Sequence, residues 1–282
     1  MTHLLDVLRC PVCSELLSAQ EHSAELPFWR NRVWACSNGH SFDVARQGYL
    51  NLLLVQQKKS LTPGDTALSV AARRAFLSAG HYQVLRQAFA DCVAALKPLR
   101  ALDIGCGEGY YTQALTPICA SVAGIDIAKP AIFTAANSIK QLVWLVGSAI
   151  ALPLEDDSVN LVSSLFSPIP LDEIQRVLTS NGHLVVAIPA EDHLWSFREA
   201  LFGEVKAHEP MQRMQPLDEQ FELVQQQRIT QDLNLDSAAL IQLMDMTPYA
   251  WKAQPAKREA LAQQTALNTK ASFVLSVYRK RF

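Results

Sequence analysis

The stretch Ala101-Leu102-Asp103-Ile104-Gly105-Cys106-Gly107-Glu108-Gly109-Tyr110-Tyr111 decides the fold. An apolar run meets glycines at every second position, and a helical pattern follows. A strand that feeds a Gly-rich turn and then a helix N-terminus builds a small-molecule site at the carboxyl end of a parallel sheet. Glycine is needed there because it permits the tight turn and lets a ligand lie against the backbone. A dinucleotide fingerprint would carry a third glycine where Tyr110 stands. The turn is also acidic, with Asp103 before the first glycine and Glu108 inside it. Carboxylates here repel a pyrophosphate and favour a cationic amine and sulfonium. Val122-Ala123-Gly124-Ile125-Asp126 then ends a second apolar strand in an acid. An acid about 20 residues after such a turn hydrogen-bonds ribose hydroxyls in doubly wound nucleotide sites. An ordinary strand–helix turn would use the glycines but none of the three acids. Asp103, Gly105, Gly107, Glu108, Gly109 and Asp126 therefore predict a site for S-adenosylmethionine.

Outward from this turn the chain alternates β-α-β. Strands are expected near 100–104, 121–126, 142–146, 159–166 and 183–188, with helices near 109–116, 129–138 and 170–178. Alternation of this kind gives an α/β fold with a parallel, doubly wound, Rossmann-like sheet. Ser148 and Ala149 follow the third strand and should border the adenine. Glu191-Asp192-His193 follows the fifth, where His193 either faces the crevice or is a solvated loop residue. The last stretch breaks the alternation. Strands near 220–230 and 272–280 flank helices near 236–245 and 255–266 and should add an antiparallel pair to the sheet edge. Tyr249 and Trp251 read as aromatic packing under a loop.

The N-terminal end has a different character. Cys10-Pro11-Val12-Cys13 is a CxxC pair, and Cys36-Ser37-Asn38-Gly39-His40 is CxxxH. Two close pairs separated by a loop supply four ligands, Cys3His, for a structural tetrahedral zinc, and leave no open position for catalysis. A disulfide suits a reducing compartment poorly, and no βαβ pattern surrounds the CxxC as in a redox site. His3 and His22 fall outside the pattern, while Cys92, Cys106 and Cys119 read as small buried residues. From about Thr66 a helical pattern begins, and Gly80 stands in position to end it. Three regions result: a zinc-binding module (1–46), a linker and helical arm (47–82), and a methyltransferase domain (83–282).

A length of 282 residues suits one large or two small domains, and 49% hydrophobic with 18% charged residues is normal for a globular core. No apolar run is long enough to span a membrane. The N-terminus has no charged-then-apolar leader, so the cytoplasm is the expected compartment. The net charge of −2 argues against a generic nucleic-acid binder. Yet residues 1–82 hold eight Lys/Arg against six Asp/Glu, leaving −4 for the remainder. Lys58, Lys59, Arg73 and Arg74 form a local basic excess, read either as an RNA-binding arm or as a solvated face.

Leu102 to Gly109 resembles the first motif of the class I S-adenosylmethionine-dependent methyltransferases. Cys10 to Cys13, Cys36 to Asp43, Gly48 to Leu53, Pro63-Gly64-Asp65, Ala72 to Tyr82, the Gly turn and Met246 to Trp251 together resemble the bacterial 23S ribosomal RNA guanine-N1 methyltransferases. The resemblance covers nearly the whole chain. It implies a zinc module that helps to recognise rRNA, a homodimer, and cofactor contacts from Tyr82, Gly107, Glu108 and His193. Two departures stand out. Phe166-Ser167-Pro168 replaces a Tyr-Ala-Pro-like turn, and Leu26-Pro27-Phe28-Trp29-Arg30 lengthens the loop between the cysteine pairs. Neither a nucleophilic cysteine near the fourth strand nor an Asn-Pro-Pro-aromatic motif is present, and the spacing names no catalytic base. Two other functions fit parts of the chain: a small-molecule methyltransferase, which needs no zinc module, and a non-catalytic zinc adaptor, which needs neither Asp103 nor Asp126.

Overall fold

The computed structural model describes residues 3–20, 30–58, 60 and 62–281. His22, residues 26–29 and Lys59 lie outside the described residues. Strands β1 (Ser18–Ala19), β2 (Val33–Ala35) and β3 (Ser41–Asp43) make a small antiparallel sheet. β4 (Tyr49–Asn51) follows, then helices α1 (Ala67–Ser78) and α2 (Gln83–Leu96). The alternating core runs β5 (Arg100–Ile104), β6 (Ser121–Asp126), α3 (Lys129–Ser138), β7 (Val143–Val146), β8 (Val159–Leu165), α4 (Leu171–Val177) and β9 (Leu178–Pro189). Helices α5 (Trp195–Phe202) and α6 (Pro210–Met214) lead to β10 (Phe221–Asp236). Helices α7 (Ser237–Met246), α8 (Pro248–Lys252) and α9 (Pro255–Ala262) then lead to β11 (Ala266–Lys280).

The large sheet has the order β10-β11-β9-β8-β5-β6-β7-β4. β4 to β9 pair in parallel, and β11 and β10 close one edge antiparallel. The order reverses between β5 and β8, so the crevice at their carboxyl ends is the topological switch point where such folds bind ligands. β5 and β7 are buried on both faces, as strands covered by helices must be. The expected antiparallel edge pair is present, but β10 is longer than its pattern implies, because only alternate stretches of it face the core.

The segment expected to be a linker is built into this body. Tyr49, Leu50 and Asn51 pair in parallel with Trp144, Leu145 and Val146 and extend the sheet. α1 starts at Thr66, whose Oγ1 accepts from Ser69 N (3.2 Å), ends before Gly80 at φ +88°, and packs against α7 and α3. Burial of Val70, Phe76 and Leu77 holds it there.

The small N-terminal sheet is equally attached. Arg9 N donates to Pro153 O (2.9 Å) and Glu155 N to Val7 O (3.0 Å). Leu4, Leu8 and Trp34 share one apolar cluster with Leu102, Ile104 and Leu145 of the large sheet.

Candidate functional site

The turn after β5 is built as its glycines require. Gly105 (φ +64°) and Gly107 (φ +57°) are left-handed, and a Cβ on Gly105 would stand 2.3 Å from Ser167 Cβ. Both line a cavity of about 570 Å³ with Glu108, Asp126, Ser148 and Ala149. Six of the ten residues expected at the cofactor thus meet in one place. Gly109 serves packing instead. A Cβ there would lie 2.5 Å from Trp144 Cη2.

Asp103 does not reach this cavity. It is buried, and its carboxylate accepts from Thr112 Oγ1 (2.5 Å) and Ser163 Oγ (2.6 Å). Burial pushes its carboxyl up to about 6. It ties the turn to β8 rather than presenting charge to a ligand. Asp126 does face the cavity, and accepts from Gly107 N (2.9 Å) and Ala128 N (2.7 Å). A carboxylate has about four lone-pair sites, so Asp126 keeps capacity for ribose hydroxyls. Burial also holds the Glu108 carboxyl above its ordinary range, against the pull of Arg73. Such a buried acidic wall favours a cationic ligand.

Arg73 is placed differently from its sequence reading. Its Nε donates to Glu108 Oε2 (3.1 Å), and its Nη2 donates to Asp65 Oδ2. It lies over Gly107 as part of the site and not on an open basic face. Arg74 and Lys58 are exposed and line a neighbouring groove with Lys129 and Phe133, which meets the cofactor cavity at Pro63, Gly64 and Asp65. The i, i+1 spacing of Arg73 and Arg74 sends them to different faces of α1, which adjacency in sequence conceals.

Tyr82 and His193, expected at the cofactor, line an adjoining cavity of about 680 Å³. The Phe166 side chain stands at the boundary between the two. Phe166 sits at φ +61°, a conformation that costs a residue with a Cβ on the order of 1 kcal/mol. Its ring is held by Tyr82 (6.5 Å between centroids), Tyr111 (6.2 Å) and Phe273 (5.4 Å). His193 Nδ1 lies 2.9 Å from Ser272 O, and burial pushes the imidazole down to about 3, so the ring is neutral. His208 Nε2 and Tyr249 Oη, 2.8 Å apart, line the far wall. Phe166 belongs to the departure at Phe166-Ser167-Pro168 and stands on the near wall, whereas nothing in the sequence pointed to His208.

The expected metal ligands converge. Cys10, Cys13, Cys36 and His40 bring one ligand atom each within 4.8 Å of the others. Cys13 Sγ lies 3.6 Å from Cys36 Sγ, and His40 Nδ1 lies 3.4 Å from Cys36 Sγ and 3.7 Å from Cys10 Sγ. A tetrahedron with zinc–sulfur bonds near 2.3 Å has edges of about 3.8 Å. Gly39, at φ +81°, turns the second knuckle, as its place in the motif predicts.

Residues 8–61 match the family model described as RlmA, N-terminal, and residues 102–186 match the one described as Methyltransferase domain. A 23S rRNA (guanine(748)-N(1))-methyltransferase of Streptomyces fradiae is 34% identical over 260 residues, 88% of this chain and 87% of that one. This chain belongs to the 23S rRNA (guanine-N1)-methyltransferase family. A Micromonospora griseorubida relative, provisionally named for the same guanine-N1 reaction, is 32% identical over 91% of both chains. Among solved structures, the N-methyltransferase NodS of Bradyrhizobium japonicum WM9, with S-adenosyl-L-homocysteine, matches at 17% identity and TM-score 0.43, over 73% of this chain and 87% of that one. The family carries its zinc ribbon on the Cys3His cluster's segment and its S-adenosylmethionine-dependent domain on the Gly turn. The match spans both, which neither a small-molecule methyltransferase nor an adaptor would require. Among the described residues no helix is long and apolar enough to cross a membrane.

Proposed function

We propose that this chain transfers a methyl group from S-adenosylmethionine to N1 of one guanine in a hairpin of 23S rRNA, in the cytoplasm. The observation that carries the reading is the match to a named guanine-N1 methyltransferase along both the zinc ribbon and the methyltransferase domain. The cofactor supplies a methyl group already activated on a sulfonium. Gly105 and Gly107 let it lie on the backbone, Asp126 takes the ribose hydroxyls, Ser148 and Ala149 border the adenine, and Glu108 faces the cationic end. Asp103 and Gly109 hold the turn itself. Tyr82 and His193 line the acceptor side, where a buried neutral imidazole beside aromatic rings suits an uncharged base. Cys10, Cys13, Cys36 and His40 hold zinc.

The target is a base that can be turned out of its stack, since RNA sequence is read mainly on unstacked loop bases and chemistry on a base needs that base outside the stack. Lys58, Arg74 and Lys129 around a groove of about 830 Å³, with Phe133 exposed among them, offer phosphate contacts and a stacking face. The zinc module adds to this grip, and the family resemblance brings a homodimer with it.

Mass-spectrometric mapping of 23S rRNA from a deletion strain, with and without complementation, tests the reading. One N1-methylguanine should vanish and return, with position 748 and its hairpin the first place to look, given the relative's name. Unchanged rRNA, or free guanosine accepted as readily as the hairpin, would refute it. Lys58→Ala with Arg74→Ala should also lower the salt dependence of hairpin binding by up to about 1.4 in log–log slope, at about 0.7 per single-strand phosphate contact.

A further inference from the structure

Among the described residues, three line both the cofactor cavity and the acceptor cavity: Asp65, Arg73 and Phe166. If the guanine-N1 reading of the preceding section holds, the methyl group crosses this shared wall. Guanine N1 carries a proton that must leave as the methyl group arrives. We propose that Asp65 is the catalytic base that accepts the N1 proton, with Arg73 stabilising the charge that passes to O6 and Phe166 offering its face to the base.

Of the three, only Asp65 can accept a proton at neutral pH. Its backbone is fixed on both sides. Gly64, at φ +81°, is pressed so closely on the next layer that a Cβ would lie 2.7 Å from Ala128 Cβ. Thr66, on the other side, caps α1 through its hydroxyl. The Asp65 side chain is still 46% exposed, so an incoming base can reach it. Arg73 is held from behind at Nε by Glu108, whose side chain is only 5% exposed, and turns its Nη2 to Asp65. A guanidinium bonded to two fixed carboxylates is oriented before any substrate enters. Beside these two charges stands Phe166, 39% exposed and held left-handed by its aromatic neighbours. Across the acceptor cavity the charged groups are Glu209 and Lys252.

The step balances. The N1–H bond breaks, its proton goes to the Asp65 carboxylate and its electron pair stays on the ring, shared between N1 and O6. The N1–carbon bond forms as the methyl group's bond to sulfur breaks, and that pair remains on sulfur as a neutral thioether. Asp65 then returns its proton to water through its exposed edge. Arg73 favours the charge on O6 without moving a proton.

The test is single-turnover methylation of a synthetic hairpin spanning the mapped guanine. Asp65→Asn should slow the reaction by about 100-fold or more at neutral pH while hairpin and cofactor dissociation constants change little. The variant's rate should climb about tenfold per pH unit, as the guanine ionises unaided, and close on a wild-type rate that is flat. Binding without cofactor gives an independent readout. Wild type should prefer the guanine hairpin to one carrying N1-methylguanine, and Asp65→Ala should lose most of that preference, about tenfold. A wild type that forms no N1-methylguanine refutes the functional reading. A wild type that forms it, beside an Asp65→Asn variant of near-normal rate and flat pH profile, overturns the base assignment alone. If Asp65→Asn lost cofactor affinity through misfolding, Asp65→Glu would decide. A flat profile within about tenfold of wild type supports a carboxylate base, and a rising profile overturns it.

Discussion

Gly109→Ala separates the two duties of the Gly turn. Gly105 and Gly107 line the cofactor cavity, whereas Gly109 lies against the indole of Trp144, which Gly124 also faces. A Cβ at residue 109 would stand 2.5 Å from Trp144 Cη2 and 3.2 Å from Cζ2. The ring cannot step aside easily, because it is fully buried and its Nε1 donates to Ile139 O at 2.8 Å. The backbone at φ +86° adds about 1–2 kcal/mol for a residue with a Cβ, and overpacking a tight core adds about 1–3 kcal/mol. Together they give about 2–5 kcal/mol, or a melting temperature lower by about 5–15 °C for a chain of this size. Differential scanning calorimetry reads this directly. Trp144→Phe shortens the ring, so in that background Gly109→Ala should cost only its backbone part, and the double-mutant cycle should show coupling of about 1–3 kcal/mol. The folded variant should bind S-adenosylmethionine with nearly normal affinity at low temperature. A shift below about 2 °C, or no coupling with Trp144→Phe, would refute the packing role. A fully folded variant that no longer binds the cofactor would return Gly109 to the ligand site.

Two further outcomes are expected. Burial holds the His193 imidazole at about 3, against 6.5 unperturbed, so the unfolded chain takes up its proton first as pH falls. Stability from this group is complete above 6.5 and is lost below it, about 2 kcal/mol by pH 5. Asp103, raised by burial to about 6 from 3.8, works in the opposite sense and gains about 1 kcal/mol over the same interval. Urea unfolding at pH 7 and 5 should therefore show wild type losing about 2 kcal/mol relative to His193→Asn over this interval, since the buried carboxyls act equally in both; parallel pH dependences would rule this out. Zinc removal is the other case. Chelation or Cys13→Ser should release on the order of 10 kcal/mol of binding energy and expose the segment between Cys10 and Asp43 to proteases, with cofactor binding retained by the separate Gly turn. A protein that is metal-free as purified yet equally protected would rule out the zinc assignment.

The parts of the fold that read clearly from sequence are those whose cause is local. β5 and the Gly turn follow from one run of residues, and β6, α3 and β8 repeat the same local grammar within a residue or two of expectation. The zinc cluster was equally legible, since CxxC and CxxxH each place two ligands through a single turn. β4 was only half legible. Residues 42–53 read as a short strand or turn ahead of a linker, and what places Tyr49 to Asn51 in the large sheet is parallel pairing with Trp144 to Val146, nearly a hundred positions away. The same pairing is what turned an expected linker into part of the body.

The site was half legible for a related reason. Sequence can say that an acid sits at the end of a strand, but a strand residue can point to either face of the sheet. Asp126 points to the cavity and Asp103 points inward to Thr112 and Ser163, although both lie near the carboxyl end of an apolar strand. Charge patterning failed at Arg73 because a count of basic residues ignores which of them already have partners. Asp65 and Glu108 are far apart in the chain, yet they close on one guanidinium over Gly107. That closure also explains why Pro63-Gly64-Asp65 looks like a plain turn in sequence. Gly64 earns no meaning until Ala128 is seen beneath it, and Asp65 becomes a boundary residue between two cavities only because α1 folds back over the turn after β5.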